Sequence, residues 1–307
     1  MPCADGRSER GAAILLAMIT VLLAAMIAAA ALGDLGRSIE SAEGRQDQAQ
    51  ARLLARAAAD WARNVLADDA MRTTVDHTGE PWAVRVPPTP VGEAEVSGEI
   101  RDWSGRFNLN NLAPAGKPDE DAARQFERLL VALGTSATQA TVLTQGLIGH
   151  IVPESPGESS DGPDPGATEQ RIAHDPLLDV RELLDVPGFD TEFVQRLAPF
   201  VAAAPAPSRI NVNTAPAEVL FALTSGLDLN ATRVLVAERE RAWFKDLADF
   251  TARLPEGGQA APGTRLDVRS RHFLVTGRAR HGNAVVRMDA LLDRQENWPE
   301  ILWQRIL

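Results

Sequence analysis

The sequence from Ala12 to Leu32, AAILLAMITVLLAAMIAAAAL, is an uncharged run of 21 residues in which Thr20 is the only polar side chain. At roughly 1.5 Å per residue a helix of this length is about 30 Å long, which matches the hydrocarbon thickness of a bilayer. The leader before it, MPCADGRSERG, carries Arg7 and Arg10, which favours a cytoplasmic N-terminus. The run therefore predicts one membrane-spanning helix, with the rest of the chain exported.

The overall composition is that of a mostly folded, acidic protein. Hydrophobic residues make up 45% and charged residues 24% of the chain, which is ordinary for a globular protein. Acidic residues outnumber basic ones by 42 to 31, giving a net charge of -11, whereas a protein that neutralises phosphates carries the opposite bias. Nucleic acid is therefore not an expected partner. The only cysteine, Cys3, excludes an intramolecular disulfide.

No catalytic motif is present in the sequence. The five histidines are scattered without metal-ligand spacing, and there is no nucleophile elbow, phosphate loop or zinc motif. The sequence therefore predicts a protein that is not an enzyme.

Hydrophobic periodicity predicts an α+β fold. Helical spacing continues after Leu32 to about Ala67. Alternating and β-branched runs predict strands that form one antiparallel sheet, in which the C-terminal strands close the sheet begun by Val96. The predicted strands are Trp82–Val86, Ala94–Trp103, His272–Thr276 and Ala284–Leu292, with a turn at Arg280–Asn283. Residues from about Phe107 to Arg269 are then a large helical insertion between strands.

The junction Arg10-Gly11-Ala12 places a charged residue and a glycine directly against the apolar run. It resembles a type IV prepilin leader. The resemblance implies that a prepilin peptidase cuts between Gly11 and Ala12 and that Ala12 is then methylated. Most pilins carry glutamate at the fifth mature position, which here is Leu16; this departure fits a subunit at the tip of a fibre. A secretory signal cleaved near residues 28–31 and an uncleaved anchor remain alternatives.

The segment from Asp102 to Leu112, DWSGRFNLNNL, has a second and more specific resemblance. It is similar to the D-x-x-G-x-x-N-L-N signature of protein K of type II secretion systems, the largest minor pseudopilin. Asparagines at such a glycine turn are expected to hold turn and cap hydrogen bonds. A helical segment, Asp119–Leu133, and the stretch INVNTAP, Ile210–Pro216, follow in the order that protein K shows.

The resemblance implies a division of the chain into five parts. These are a prepilin leader (1–11), a transmembrane helix (12–32), a split pilin-like α/β domain (33–106 and 270–307), an inserted helical domain (107–208) and a second helical subdomain (209–269).

The second helical part resembles a helix-hairpin-helix unit. Thr214 is expected to cap its first helix, the hairpin is Thr224–Asp228, and the second helix ends before Phe244. Leu183–Phe189 is a similar turn. Such hairpins often grip DNA through backbone amides, but Asp228 would meet a phosphate with the wrong charge, so a structural role is expected.

The polar loop Pro153–Gly166 lies in a region where the family has acidic calcium ligands. Oxygen ligands for calcium are available from Asp161, Asp164, Glu169 and Asp175, with Glu154 and Glu158 nearby. Relatives commonly have D-W-(I/L)-D and G-A-E-D segments, whereas this chain has GHIV at 149–152 and GATE at 166–169. Two carboxylates are thus missing, and both a calcium site and a solvated acidic loop remain open.

The resemblance implies a minor pseudopilin of the inner membrane whose C-terminal domain lies in the periplasm. It implies pairing with minor pseudopilins I and J, further pseudopilins below the tip, priming of pseudopilus assembly and support for export of folded proteins. The alternative is a membrane-anchored, exported helix-hairpin-helix module that binds DNA or another periplasmic partner.

Overall fold

The computed structural model describes residues 8–152 and 176–307, with side chains from residue 13 onward. Helix α1 spans Ser8–Arg72. It begins with the apolar run, which is exposed and apolar enough to cross a membrane. The predicted long helix is therefore confirmed and ends a little later than expected. Its second half buries one stripe of small residues at helical spacing, Ala51, Ala55, Ala59, Ala62 and Leu66.

The stripe packs on a five-stranded antiparallel sheet of order β1-β2-β9-β10-β11. The strands are β1 (Val86–Val91), β2 (Ala94–Asp102), β9 (His272–His281), β10 (Ala284–Asp293) and β11 (Glu300–Ile306). Strand β2 lies beside β9, with Val96 opposite Ala279, so the C-terminal strands do close the sheet. The helix approaches closely because a Cβ on Gly277 would lie 2.9 Å from the Cβ of Ala58.

One expectation for the sheet was wrong, and one edge strand was not expected. Residues Pro81–Ala83 form a 3-10 turn that buries Trp82, whose indole N–H donates to Glu80 Oε2 at 2.8 Å. Strand β1 instead starts at Val86 and runs through three prolines, which an edge strand tolerates because its outer side makes no ladder hydrogen bonds. Strand β11, at the opposite edge, was not expected from the sequence.

The chain between β2 and β9 holds helices α2 to α7 around a second hydrophobic core. Helix α2 (Glu120–Ala132) starts at its cap Asp119 and confirms the predicted helical segment. The other helices are α3 (Ala137–Ile151), α4 (Thr191–Leu197), α5 (Ala217–Leu223), α6 (Leu229–Arg241) and α7 (Leu247–Ala252). Short strand pairs join them: β3 (Phe107–Asn108) with β4 (Val201–Ala202), β5 (Ile210–Asn211) with β8 (Leu266–Asp267), and β6 (Thr224–Ser225) with β7 (Gln259–Ala260).

The hairpin between α5 and α6 is covered by the chain itself. Strand β6 pairs with β7, and a Cβ on Gly226 would lie 2.0 Å from the carbonyl oxygen of Gly257. Asp228 caps α6, since its carboxylate accepts from the N–H of Ala231 at 2.7 Å. The acid that sequence reasoning set against phosphate binding is therefore a helix cap. Thr214 is not the cap of α5, because Pro216 holds that position without a side-chain hydrogen bond.

Candidate functional site

The signature segment begins at Asp102, the last residue of β2, and this side chain ties three parts of the chain together. Its carboxylate accepts from the N–H of Ser104 at 2.7 Å and from the hydroxyls of Ser270 and Thr214. The amide of Asn211 lies 3.4 Å away. Thr214, expected as a helix cap, thus anchors the insertion to the sheet. Burial raises the pKa of Asp102 to about 6, although these hydrogen bonds act against the rise.

The glycine of the signature allows a close approach at the same point. A Cβ on Gly105 would lie 2.6 Å from the hydroxyl oxygen of Thr214 and 2.8 Å from its carbonyl carbon. Beside it, the Ser104 hydroxyl accepts from the N–H groups of Arg271 and His272 at 3.0 and 2.9 Å. Ser104 therefore links the turn that follows β2 to the residues at the start of β9 by hydrogen bonds.

The three asparagines of the signature are buried, and each bonds to distant backbone. Asn110 pairs with both the N–H and the C=O of Leu177 at 2.9 Å. Asn111 pairs in the same way with Ser208 at 3.0 Å. Asn108 caps the following 3-10 turn and also reaches the backbone of residues 204–206. The expected local cap is confirmed for Asn108, whereas the long-range pairs were not expected.

The INVNTAP segment repeats this arrangement. Asn213 pairs with the N–H and C=O of Phe244 at 2.7 and 2.9 Å. Asn211 donates to the carbonyl of Asp76 at 2.9 Å and to the hydroxyl of Ser270 at 2.7 Å. A buried side-chain amide whose donor and acceptor are both hydrogen-bonded stabilises one backbone position. Any other backbone position would leave a buried polar group without a hydrogen-bond partner.

Next to Asp102 lies a buried ion-pair network centred on Arg294, which follows β10. Its guanidinium donates to Asp69 at 3.0 Å and to Asp76 at 2.5 Å, and all three side chains are at least nine-tenths buried. It also donates to the carbonyl of Ser270 at 3.1 Å. Burial raises the pKa of Asp69 to about 6, with a contribution from the nearby Glu80. The network joins the end of α1 to the sheet and to the returning chain.

The carboxylates of Asp69, Asp76 and Glu80 lie close enough together to hold a metal ion. Their oxygens already have partners, however. Arg294 bonds to the two aspartates, and Glu80 accepts from the indole of Trp82 and from the N–H of His77 at 2.9 Å. A cationic side chain therefore occupies the position that a metal would take, and this group does not fit a cation.

The residues of the predicted processing site and the predicted calcium ligands lie far from Asp102 in the sequence or outside the described residues. Gly11 and Ala12 lie within α1, and Leu16 is 68% exposed on it. The candidate calcium ligands Asp161, Asp164, Glu169 and Asp175, like Glu154 and Glu158, lie outside the described residues.

Comparison with known families agrees with the signature. Residues 105–206 and residues 210–269 each match a family described as type II secretion system (T2SS), protein K, and together they make up more than half of the chain. The chain belongs to the type II secretion system protein K family. The resemblance inferred from the sequence is thereby confirmed, and with it the role of a minor pseudopilin in protein transport.

Relatives within the protein K family match along nearly the whole chain. Protein K of Pseudomonas aeruginosa is 29% identical over 285 residues, covering 88% of this chain and 84% of that protein. Protein K of Klebsiella pneumoniae is also 29% identical, covering 94% of this chain and 93% of that protein. For Aeromonas hydrophila the identity is 26%, with 98% and 97% covered.

A solved structure shares the fold. A chain in the crystal structure of the GspK-GspI-GspJ complex from the type 2 secretion system of enterotoxigenic Escherichia coli superposes with a TM-score of 0.71. The match covers 87% of this chain and 99% of that chain at 24% identity. The predicted fold class, a pilin-like helix and sheet with a helical insertion, is confirmed.

The raised pKa of Asp102 predicts a pH-dependent stability. The folded protein binds this proton more tightly than the unfolded chain, so the contribution is present at pH 4 and is lost as the pH rises through 6. A difference of this size corresponds to on the order of 3 kcal/mol. We expect the stability advantage of the wild type over Asp102→Asn to fall by about that amount between pH 4 and pH 7, measured by urea unfolding of the detergent-solubilised chain followed by tryptophan fluorescence.

Asp60→Asn is the control, since it removes an exposed carboxylate from α1. An advantage over Asp102→Asn that stays constant from pH 4 to pH 7 would contradict the assignment.

Proposed function

We propose that this chain is the tip subunit of a type II secretion pseudopilus, where it primes assembly, caps the periplasmic end and supports export of folded proteins. The main support for this proposal is the position at which the helical insertion leaves the sheet. Strand β2 ends and β9 begins side by side, with Asp102 opposite Phe273. Both ends of the insertion therefore lie at one end of the sheet.

That end is the one farthest from the apolar run. Asp47 of α1 contacts His281 at 3.1 Å, at the far end of β9. Asp69 of α1 contacts Arg294, beside the insertion. The two aspartates are 22 positions apart, a distance of about 33 Å along a helix. An insertion held at the distal end would block the position that the next subunit takes in a fibre.

The apolar half of α1 supports the same assignment. It exposes a continuous apolar surface on which the helices of subunits below can pack. At Leu16 it lacks the carboxylate that, by resemblance to pilins, meets the N-terminus of a neighbouring subunit. A buried carboxylate without such a partner is costly, so leucine suits a subunit with no neighbour above it.

The partners proposed are minor pseudopilins I and J, other pseudopilins below the tip, and the prepilin peptidase. Pairing with minor pseudopilins I and J is supported by the related chain, which was solved in a GspK-GspI-GspJ complex. We place the chain in the inner membrane with residues 12–32 as the span and residues 33–307 in the periplasm. The division into 1–11, 12–32, 33–106 with 270–307, 107–208 and 209–269 is proposed together with this placement.

DNA binding is not supported by any described feature of the hairpins. The Gly226 turn is covered by β7, and Asp228 is engaged as a helix cap. Gly188, in the other turn, faces α3, where a Cβ would lie 2.7 Å from the side chain of Leu143. These contacts favour a structural role for both helical units. That the chain is not an enzyme stays a prediction, in keeping with a family of secretion-system components.

Processing at Gly11 gives the first test. We expect Gly11→Val to leave the chain uncleaved and to abolish secretion, because a β-branched side chain replaces the glycine at the cleavage site. Intact mass and N-terminal sequencing of the wild type should give a chain that begins at methylated Ala12. Gly33→Val, at the other end of the apolar run, is the control. Normal maturation of Gly11→Val would exclude cleavage between Gly11 and Ala12.

Position in the fibre gives the second test. An epitope inserted after Gly116, an exposed turn of the insertion, should be detected by immunogold labelling at one end of each pseudopilus only. The chain should also co-purify with minor pseudopilins I and J. The same epitope in the major pseudopilin, which should label along the whole fibre, is the control. Label from Gly116 along the fibre would exclude the tip assignment.

The calcium set Asp161, Asp164, Glu169 and Asp175 stays a prediction. If calcium binds there, adding it should raise the melting temperature, and EDTA should reverse the rise, because a ligand that binds only the folded state stabilises it. Asn and Gln replacements at the four positions should remove the response, with Asp68→Asn and Glu240→Gln as exposed controls. A wild type that responds to neither calcium nor EDTA would favour a solvated acidic loop.

A further inference from the structure

A polar cavity of about 320 Å³ lies where the ends of the helical insertion meet the sheet. A single water molecule needs only roughly 15 Å³, so the cavity has room for a group of several atoms. Its walls come from three separate parts of the chain: residues 207–209 between β4 and β5, residues 267–271 between β8 and β9, and residues 294–295 after β10.

Arginines dominate the lining of this cavity, although the whole chain carries a net charge of -11. Arg271 is held by a two-pronged ion pair with Asp293, at 2.7 and 2.6 Å. Arg209 is mostly exposed and lies 3.8 Å from Asp267. Among the described residues, no carboxylate lies within ion-pair distance of Arg269. Each guanidinium has five N–H donors, and among the described residues those of Arg209 and Arg269 have the fewest acceptors.

Acidic groups near the cavity are already engaged. Asp267, the carboxylate in its lining, accepts from the backbone N–H groups of Val268 and Arg269 at 2.8 and 3.2 Å. Asp69 and Asp76, behind the cavity, are paired with Arg294. Among the carboxylates that the structure describes near the cavity, an anion that entered would therefore face paired ones.

The backbone around the cavity is fixed before any ligand arrives. Ser208 is held through both backbone groups by Asn111, and the N–H of Ser270 donates to Asp76 at 2.7 Å. Arg294 is buried, and within the described part of the chain its Nε–H has no hydrogen-bond partner. A pre-organised site loses little conformational entropy on binding, which favours affinity for a small ligand.

We propose that this cavity is an oxyanion-binding site, in which Arg209 and Arg269 hold a carboxylate or phosphate group beside the engaged Arg271. The planar guanidinium fork matches two oxygens of either group, which a single ammonium does not. A bound oxyanion would bridge the insertion and the sheet, and would so tighten the attachment of the proposed tip. The site does not depend on the position of the chain in a fibre, so it can be tested on the isolated full-length protein.

The test is the melting temperature of the full-length protein in detergent at pH 7.5, titrated with inorganic phosphate or with acetate while chloride keeps the ionic strength constant. We expect a saturable rise with at least one of the two anions, because binding to the folded state alone stabilises it. Arg209→Gln with Arg269→Gln should weaken the fitted affinity at least tenfold. Arg269→Lys should weaken it less, since it keeps the charge and loses the fork.

Arg280→Gln is the matched control, because Arg280 is an exposed arginine with one carboxylate, Glu95, at 3.4 Å on the sheet. A response to phosphate alone identifies a phosphate site, and a response to acetate alone identifies a carboxylate site. Either response supports the proposal if replacing Arg209 and Arg269 weakens it. The proposal would be overturned if neither anion gave a saturable rise in melting temperature, or if Arg280→Gln weakened the fitted affinity as much as the double variant does.

Discussion

A buried arginine is the constraint on which the arrangement of this protein depends. Arg294 can remain charged in the interior only if Asp69 and Asp76 stay beside it, since an uncompensated buried charge costs several kcal/mol, on the order of 3 to 5. Its partners come from the end of α1 and the loop that follows, and Arg294 itself directly follows β10. The ion pairs therefore fix where the long helix ends relative to the sheet. The insertion begins and ends beside this point.

Within the insertion, side-chain amides rather than charges hold the backbone in place. Asn110, Asn111 and Asn213 each match the N–H and the C=O of one backbone position. Leaving such a buried group unpaired costs roughly 1 to 3 kcal/mol, so a shift of these segments relative to one another inside the insertion would break several pairs at once. The signature that identifies the protein K family is thus a set of residues that stabilise the fold through hydrogen bonds to distant backbone groups. Its residues need no chemistry beyond hydrogen bonding to explain why they occur together.

Sequence reasoning succeeded where periodicity carried the information. The apolar run, the helical spacing after it and the alternation in β2 and β10 predicted the helix, the sheet and the closing of that sheet. It failed where tertiary contacts overrode local signals. The prolines of β1 are incompatible with a central strand, and its position at the edge of the sheet is a tertiary feature. Thr214 looked like a cap, but Asp102 lies close enough to take its hydroxyl. The partners of Arg294 are over 200 positions away, beyond any local pattern.

The topology explains how so large an insertion leaves the pilin-like part intact. Strands β2 and β9 are neighbours, and the chain leaves the sheet at Asp102 and returns next to it at His272. Residues can be added between these points without breaking a ladder hydrogen bond, because both strands end there. Since α1 runs from the apolar segment toward the same end, the inserted residues lie at the end of the molecule that is distal to that segment. A site for capping a fibre can thus be gained while the surfaces that pack within the fibre are kept.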